Sequence, residues 1–282
     1  MSPVDAFTLL DIDPADAAEV RETMPPPAVL DPARRALAEG LANRRDNARP
    51  PSRAESKLFP AHLILAALED IRACHRQFGI PDDISWKTLS HLGRAMRAYR
   101  SAHGTAGVEF THWDWLRYFG WLYEVGRLEV TPYLLCTWPK AAGPLFWYEG
   151  EEAEGMSPGM RRGDPAISLH VPPTGELAPA DCDAALQPLQ TAFANRYPGM
   201  PLRIATCTSW LLDEQLSEYL PRDSNILLFQ RRFRLVPGAQ ENDDAIVRAL
   251  SGKGTTLERA AIEHIREGRH WHLRTGWLVL PA

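Results

Sequence analysis

The sequence predicts an α+β protein, in which a helical N-terminal domain is followed by a mixed β-sheet flanked by helices. Two observations predict this class. Up to about residue 125, apolar residues recur every three or four positions, which is the spacing of amphipathic helices. After residue 126, alternating strand-like runs are separated by helical stretches, and such mixed connections favour a mixed sheet with helices on its faces. We therefore predict two domains, residues 1–125 and 126–282.

Three helices are the clearest elements of the N-terminal domain. Asp31 followed by Pro32 is a typical helix start, because the carboxylate can cap the first turn and proline is tolerated there. A second helix is expected over residues 60–78, where apolar residues recur at helical spacing. A third helix carries Leu89 and ends at Gly104, since glycine readily adopts the left-handed backbone that closes a helix.

A fourth helix is predicted to begin at a capping box. Thr111 and Asp114 stand three positions apart, with aspartate in place of the usual glutamate or glutamine. The aromatic-rich stretch that follows is interpreted as one helix, with Gly126 at its C-terminal end.

The C-terminal domain alternates strands and helices. Strands are predicted at residues 128–138, 144–148, 166–171, 202–210, 234–238 and 270–280. Helices are predicted at residues 181–197, 213–220, 226–233 and 241–251, and after Thr255. In the strand at 166–171, Ser168 and His170 share the polar side. Pro188 predicts a kink in its helix.

Composition bears on several classes of function. The formal net charge of −5 provides no basic field that would attract nucleic acid. The sequence shows no long apolar run and no signal-peptide pattern, so we expect a cytoplasmic protein without a membrane span. The four cysteines form no C-x-x-C pair. His270 and His272 alternate on a strand without an apparent third ligand, so we expect no metal. The sequence does not reveal the oligomeric state.

Two stretches carry a resemblance to a known family, LHVPPTGELAPADCDAALQPLQTAFANRYP and CTSWLLDEQLSEYLPRDSNILLFQRRFRL. They resemble bacterial acyltransferase domain-containing proteins, which pair a helical N-acyltransferase N-terminal region with a GNAT-like C-terminal domain. The resemblance covers most of the chain after about residue 85. It implies a GNAT-like fold for the C-terminal half and acetyl-CoA or another acyl-CoA as co-substrate. The acceptor stays open.

The resemblance also implies where the acyl donor binds. In GNAT folds a strand runs into a helix N-terminus, where backbone N–H groups hold the pyrophosphate of the donor. Here the matching segment includes Val171, Thr174 and Gly175. It lacks the usual Q/R-x-x-G-x-G/A loop, and acidic Glu176 and Asp181 would repel a pyrophosphate. CoA could therefore bind weakly, use a different loop or not bind.

Three further residues are candidates for cofactor binding. Asn225 and Phe229 match the segment around the last core helix of GNAT folds. Many GNAT enzymes carry a tyrosine there as general acid, and Phe229 cannot donate a proton. Arg231 could meet the 3′-phosphate of CoA, or lie on a solvated basic face.

Two residues are candidates for the catalytic base. His170 ends a strand on its polar side, and histidine titrates near neutrality, as deprotonation of an ammonium acceptor requires. The alternative is a histidine that bonds a loop carbonyl for structure. Glu129 faces away from Leu128 and Val130 and could act as a base through a water. Its alternative is a solvated charge on an edge strand.

Cys207 and Ser209 share one face of their predicted strand. Cys207 could carry the acyl group covalently if a base lowered its pKa, but no matched His–Asp pattern marks such a base, and core packing is the alternative. Ser209 could hydrogen-bond a pantetheine amide or only its neighbours.

These candidates support three hypotheses for function. The first is an N-acyltransferase, in which a small-molecule amine attacks an acyl-CoA held in a slot between strands that splay around Ile167 and Ile204. The second is a catalytically inactive GNAT-like module that binds a ligand or a partner, motivated by the missing glycine loop and by Phe229. The third is a cysteine hydrolase that uses Cys207 and His170. None of them implies a nucleic-acid or membrane partner.

Overall fold

The structure is a computed structural model that describes residues 6–43, 56–135, 163–173 and 175–281. The chain divides into two compact units, Met1–Val125 and Gly126–Ala282. The strand predicted at 144–148 lies outside the described residues, as does Thr174. Among the described residues, no helix combines the length and the apolar character that a membrane span needs.

The first unit is built from helices. Within the described residues it contains α1 (Ala6–Leu9), α2 (Pro14–Glu22), α3 (Pro27–Asn43), α4 (Phe59–Ala66), α5 (Leu68–Gln77), α6 (Asp82–Leu89), α7 (His91–His103), α8 (His112–Tyr118) and the short strand β1 (Tyr123–Val125). Helix α3 packs against both α4 and α5. Leu37 of α3, Leu63 of α4 and Ile71 of α5 are fully buried, so these helices contribute apolar stripes to the core of the unit.

Two predicted helices differ from the observed ones. α3 begins at Pro27, itself a favourable first helical residue, and Pro32 lies inside the helix instead of at its start. The single helix predicted over 60–78 is wrong, because the backbone leaves the helical region at Ala67 (φ −99°, ψ 5°). α4 buries residues on all its sides and α5 buries one stripe. Apolar spacing continues across the break and therefore does not reveal it.

The ends of α6 and α7 refine the third predicted helix. Leu89 is the last residue of α6, and α7 begins two positions later at His91. Helix α7 ends as predicted at Gly104, which adopts the left-handed backbone (φ 74°).

The capping box predicted at the start of α8 is confirmed. Thr111 Oγ1 accepts a hydrogen bond from the Asp114 N–H at 3.4 Å, and the Asp114 carboxylate accepts one from the Thr111 N–H at 2.8 Å. Burial alone would raise the pKa of Asp114, but hydrogen bonds from His91 and Thr111 outweigh it and lower the pKa to about 2. The helix ends at Tyr118, however, and Gly126 (φ 55°) lies in a turn after β1.

The second unit alternates strands and helices. Within the described residues its elements are β2 (Leu128–Leu134), β3 (Pro165–His170), α9 (Pro179–Leu186), α10 (Leu189–Ala192), β4 (Ile204–Ser209), α11 (Asn225–Gln230), β5 (Arg234–Leu235), β6 (Gln240–Glu241), α12 (Asp243–Leu250), α13 (Thr256–Arg266) and β7 (His272–Val279). The predicted helix over 181–197 is interrupted at Pro188, where a kink was expected. Residues 214–218, predicted as a helix, form a 3-10 turn.

The strands of this unit form a mixed sheet in the order β2-β3-β4-β7-β5, and β6 pairs with β7. β3 is antiparallel to β2 and parallel to β4. β7 is antiparallel to β4, β5 and β6. A helical N-terminal part followed by a mixed sheet with flanking helices is the fold class that the sequence predicts.

The pairing of β3 with β4 corrects one prediction. The two strands do not splay around Ile167 and Ile204, because Ile167 lies opposite Ala205 and the parallel ladder continues to Leu169 and Cys207. The side chains of Ile167 and Ala205 are fully buried, and burying this apolar face favours close pairing. The ladder ends at Leu169 and Cys207, so a gap for a ligand can begin only beyond that pair.

Helices α12 and α13 lie between β6 and β7 in the chain and contribute to a second hydrophobic cluster of this unit. The buried residues of this cluster are Leu216, Leu227, Ile246, Leu250, Ala261 and Trp271. Trp271 is fully buried, and its Nε1–H donates to the Ala261 carbonyl at 3.1 Å. A buried indole needs such an acceptor, so this bond ties α13 to the segment that leads into β7.

Candidate functional site

The two candidate bases lie side by side in the sheet. Glu129 of β2 is directly opposite His170 of β3, and Thr131 is opposite Ser168. Residues directly opposite each other project from the same side of a sheet, so all four share one face. The sequence predicts the orientation of each side chain on its own strand, whereas the register between the strands brings them together.

His170 contacts a hydroxyl as well as facing a carboxylate. Its Nε2 lies 3.3 Å from Thr131 Oγ1, within hydrogen-bond distance. Glu129 is only 7% exposed, which excludes its predicted alternative as a solvated charge. A carboxylate opposite the ring can stabilise the imidazolium that a histidine forms when it acts as a general base.

The same face continues across β4 to β7 as a row of hydroxyl groups. The Tyr133 hydroxyl lies 2.8 Å from Thr206 Oγ1, and Thr208 Oγ1 lies 2.9 Å from Thr275 Oγ1. We call this surface the polar sheet face; its residues are Glu129, Thr131, Tyr133, Ser168, His170, Thr206, Thr208 and Thr275. The part of this face on β4 and β7 was not predicted from the sequence, although the alternation of threonines at 206 and 208 is a signal for it.

Cys207 and Ser209 lie on the other side of the sheet. Cys207 lies directly opposite Leu169 in the ladder with β3, so its side chain points away from that of His170.

 Because His170 is the residue after Leu169, the pair of Cys207 and His170 proposed for a cysteine hydrolase is split between the two faces of the sheet. The thiol is 1% exposed, and burial raises its pKa to about 12. Ser209 Oγ accepts from the Leu211 N–H at 3.1 Å and caps a 3-10 turn.

The loop between β3 and α9 is the segment in which the resemblance placed the donor phosphates. Gly175 adopts a left-handed backbone (φ 74°), and Val171 is partly buried at the start of the loop. The side chain of Arg127 reaches into the loop and donates to the carbonyls of Pro172, Gly175 and Glu176 at 3.1, 3.0 and 2.7 Å. One guanidinium thus holds three carbonyl groups of a loop that lacks the glycine-rich motif.

Three of the residues predicted to bind the cofactor lie on or just after α11, and their surroundings give little support for that role. Asn225 is the first residue of α11, whose N-cap is the Ser224 hydroxyl, 3.4 Å from the Leu227 N–H. Phe229 is 2% exposed and packs against Phe233, with 5.1 Å between the ring centroids, so burial argues against Phe229 as a cofactor contact. Arg231 is exposed, in keeping with its alternative as a solvated basic residue.

The two histidines near β7 have separate partners. His270 Nδ1 lies 2.9 Å from Asp243 and 3.4 Å from Glu241, and His272 Nδ1 lies 3.3 Å from Asp213. The hydrogen bond to Asp243 raises the pKa of His270. The two histidines contact different carboxylates, so His270 and His272 do not converge on one site.

The chain belongs to the family defined by the GNAT-like C-terminal domain, which matches residues 122–278. Residues 1–120 match the N-acyltransferase N-terminal domain. The family predicted from the sequence is thereby confirmed. No protein of curated function matches the chain at a significant level.

Solved structures similar to this chain are acyltransferases. One, in complex with decanoyl-CoA, superposes with a TM-score of 0.72 at 28% identity, covering 98% of this chain and 86% of that chain. Another, in complex with decanoyl-CoA and teicoplanin, has a TM-score of 0.73 at 29% identity with the same coverage. A third contains CoA and 10C-teicoplanin, again with a TM-score of 0.73 and 29% identity over 98% and 86% of the two chains.

Proposed function

We propose that this protein is an N-acyltransferase that moves an acyl group from acyl-CoA to a small-molecule amine by direct attack. The observation that carries the proposal is the cross-strand pair of Glu129 and His170. This pair lies where β3 leaves its ladder with β4 and runs into the loop held by Arg127. Membership in the GNAT-like family and similarity to acyltransferases that bind acyl-CoA support the assignment.

In the proposed reaction His170 is the general base. It takes a proton from the ammonium group of the acceptor, so that the amine nitrogen can attack the thioester carbonyl. The carbon–sulfur bond breaks and CoA leaves as a thiolate with the electron pair of that bond. The attacking nitrogen gives its remaining extra proton to this thiolate, so the products are the amide and the CoA thiol. Glu129 stabilises the imidazolium that forms, and the Thr131 hydroxyl, 3.3 Å from His170 Nε2, orients the ring.

The departing CoA thiolate needs no strong acid. A thiol with an ordinary pKa of about 8.5 is a competent leaving group near neutral pH. Phe229 provides no proton at the position where many GNAT enzymes have tyrosine, and it is buried. This replacement is the observation that favours the alternative function, a catalytically inactive GNAT-like module that binds acyl-CoA without turnover.

We propose medium-chain acyl-CoA as the donor class to be examined first. The similar acyltransferases contain decanoyl-CoA, octanoyl-CoA or CoA. Acetyl-CoA, expected from the sequence resemblance, serves as the short-chain comparison. Teicoplanin is a reasonable first acceptor because two of the similar structures contain it or its 10C form.

The experiment measures acyl transfer by mass spectrometry with decanoyl-, octanoyl- and acetyl-CoA, against teicoplanin and a panel of primary amines. His170→Gln is expected to lower kcat/KM by about 100-fold or more, as loss of a general base does. The matched control is His270→Gln, which alters an exposed histidine of the same unit and is expected to stay within about twofold. Donor binding without turnover would support the inactive module, and absence of donor binding in calorimetry would contradict both functions.

A further inference from the structure

The arrangement of the loop between β3 and α9 depends on one side chain. Arg127 Nε donates to the Glu176 carbonyl at 2.7 Å, and Nη2 donates to the carbonyls of Gly175 and Pro172 at 3.0 and 3.1 Å. Hydrogen bonds from a charged donor are stronger than neutral ones, and the planar guanidinium fixes their directions. These three carbonyls therefore all face Arg127.

The amide groups that follow two of these carbonyls point the opposite way. In a trans peptide the C=O and the N–H of the next residue project in opposite directions. The N–H groups of Glu176 and Leu177 are consequently turned away from Arg127. Within the part of the chain that the structure describes, neither N–H donates to a backbone carbonyl. Gly175 permits the turn, because its φ of 74° is a conformation that glycine adopts without strain.

Successive outward N–H groups form a concave site for an anion. The usual GNAT loop achieves this with glycines, which this sequence lacks. Here the carbonyls are drawn inward by a cation instead, and the guanidinium charge also offsets the repulsion from Glu176 and Asp181. A phosphate ester is an anion that such a pair of amides can bind.

We propose that Arg127 is a positioning residue for the acyl donor. It orients the N–H groups of Glu176 and Leu177 toward the diphosphate of CoA and so takes the role of the missing glycine-rich loop. This inference rests on the proposed function, since it assumes a CoA thioester as the donor.

The test compares two donors that differ in the diphosphate. Decanoyl-CoA carries it, and S-decanoylpantetheine has the same thioester without the diphosphate or the nucleotide. The readout is the ratio of kcat/KM for decanoyl-CoA to kcat/KM for S-decanoylpantetheine. Arg127→Ala is expected to lower this ratio about tenfold or more, the effect of losing charge-assisted hydrogen bonds that hold a binding loop. Arg248→Ala, which removes an exposed arginine in α12, is the matched control and leaves the ratio unchanged.

A second variant separates orientation from charge. Arg127→Lys keeps the positive charge, but its compact ammonium lacks the planar fork that fixes the directions of the three hydrogen bonds. Its ratio is therefore expected to fall nearly as far as that of Arg127→Ala. Full recovery of the ratio with lysine would overturn the orienting role. Equal loss of activity toward both donors in Arg127→Ala would mean that the residue only supports the fold, and would also overturn the inference. If the wild-type protein uses neither donor, the proposed function itself fails and this inference fails with it.

Discussion

Iodoacetamide treatment of the folded protein at pH 8 is expected to leave Cys207 unmodified. Its side chain is 1% exposed in the sheet, and burial raises its pKa to about 12. Alkylation requires the thiolate, so the reaction rate follows the ionised fraction of the thiol and its access to the reagent.

The size of the effect follows from the pKa of Cys207. With a pKa of about 12, about one thiol in ten thousand is ionised at pH 8. An unperturbed cysteine, with a pKa of about 8.5, is about one quarter ionised at the same pH. Ionisation alone therefore slows alkylation of Cys207 by about 2,000-fold, and exclusion of the reagent by the packed sheet slows it further.

The assay follows alkylation at successive times by peptide mass spectrometry, with the urea-unfolded protein as the reference for Cys207. Cys207→Ala is expected to retain acyl transfer within about twofold, because the proposed mechanism forms no acyl-cysteine. Alkylation of Cys207 in the folded protein at a rate within about tenfold of that in urea would refute the reasoning. Loss of turnover in a folded Cys207→Ala variant would return the covalent mechanism to consideration.

Three further predictions concern stability and titration. Gly93→Ala is expected to destabilise the first unit by about 3 kcal/mol or more in urea unfolding, since a Cβ there would lie 1.8 Å from the Asp11 carbonyl oxygen; unchanged stability would contradict this contact. Thr111→Ala is expected to cost about 1 kcal/mol through loss of the N-cap, and Thr111→Ser to restore most of it. The bond to Asp243 raises the pKa of His270, so its stabilisation is complete below about pH 6.5 and is lost as pH rises through the raised pKa. In NMR titration Asp243→Asn should lower the pKa of His270, and an unaltered titration would exclude that bond.

Local patterns in the sequence predict the helices and strands better than they predict which strands pair and in which register. The period of two places Ser168 and His170 on one side of β3, and the burial along the strand agrees. That His170 faces Glu129 could not be read from either strand, because register is a property of two segments far apart in the chain. The contact between Tyr133 and Thr206 could not be predicted from the sequence for the same reason, since β3 lies between the strands that carry them.

Some helix boundaries could not be predicted, because the apolar pattern of the sequence continues past the residue where the helix ends. Apolar spacing runs through Ala67 although the backbone turns there, because both α4 and α5 bury apolar residues. The aromatic stretch after Thr111 suits a strand as well as a helix, and it ends with the strand β1 and a turn at Gly126. The role inferred for Arg127 was also invisible, since nothing adjacent to it in sequence points to the carbonyls that it contacts.

The two-sided character of β3 has a consequence for how the chain tolerates change. Each residue of this strand is committed to one side: Leu169 to the packed apolar side and His170 to the hydroxyl-rich side. Inserting or deleting a single residue within β3 would exchange the two sides, burying an imidazole among aliphatic groups and setting a leucine opposite Glu129. Length variation is therefore excluded inside this strand, whatever freedom the segments on either side of it have.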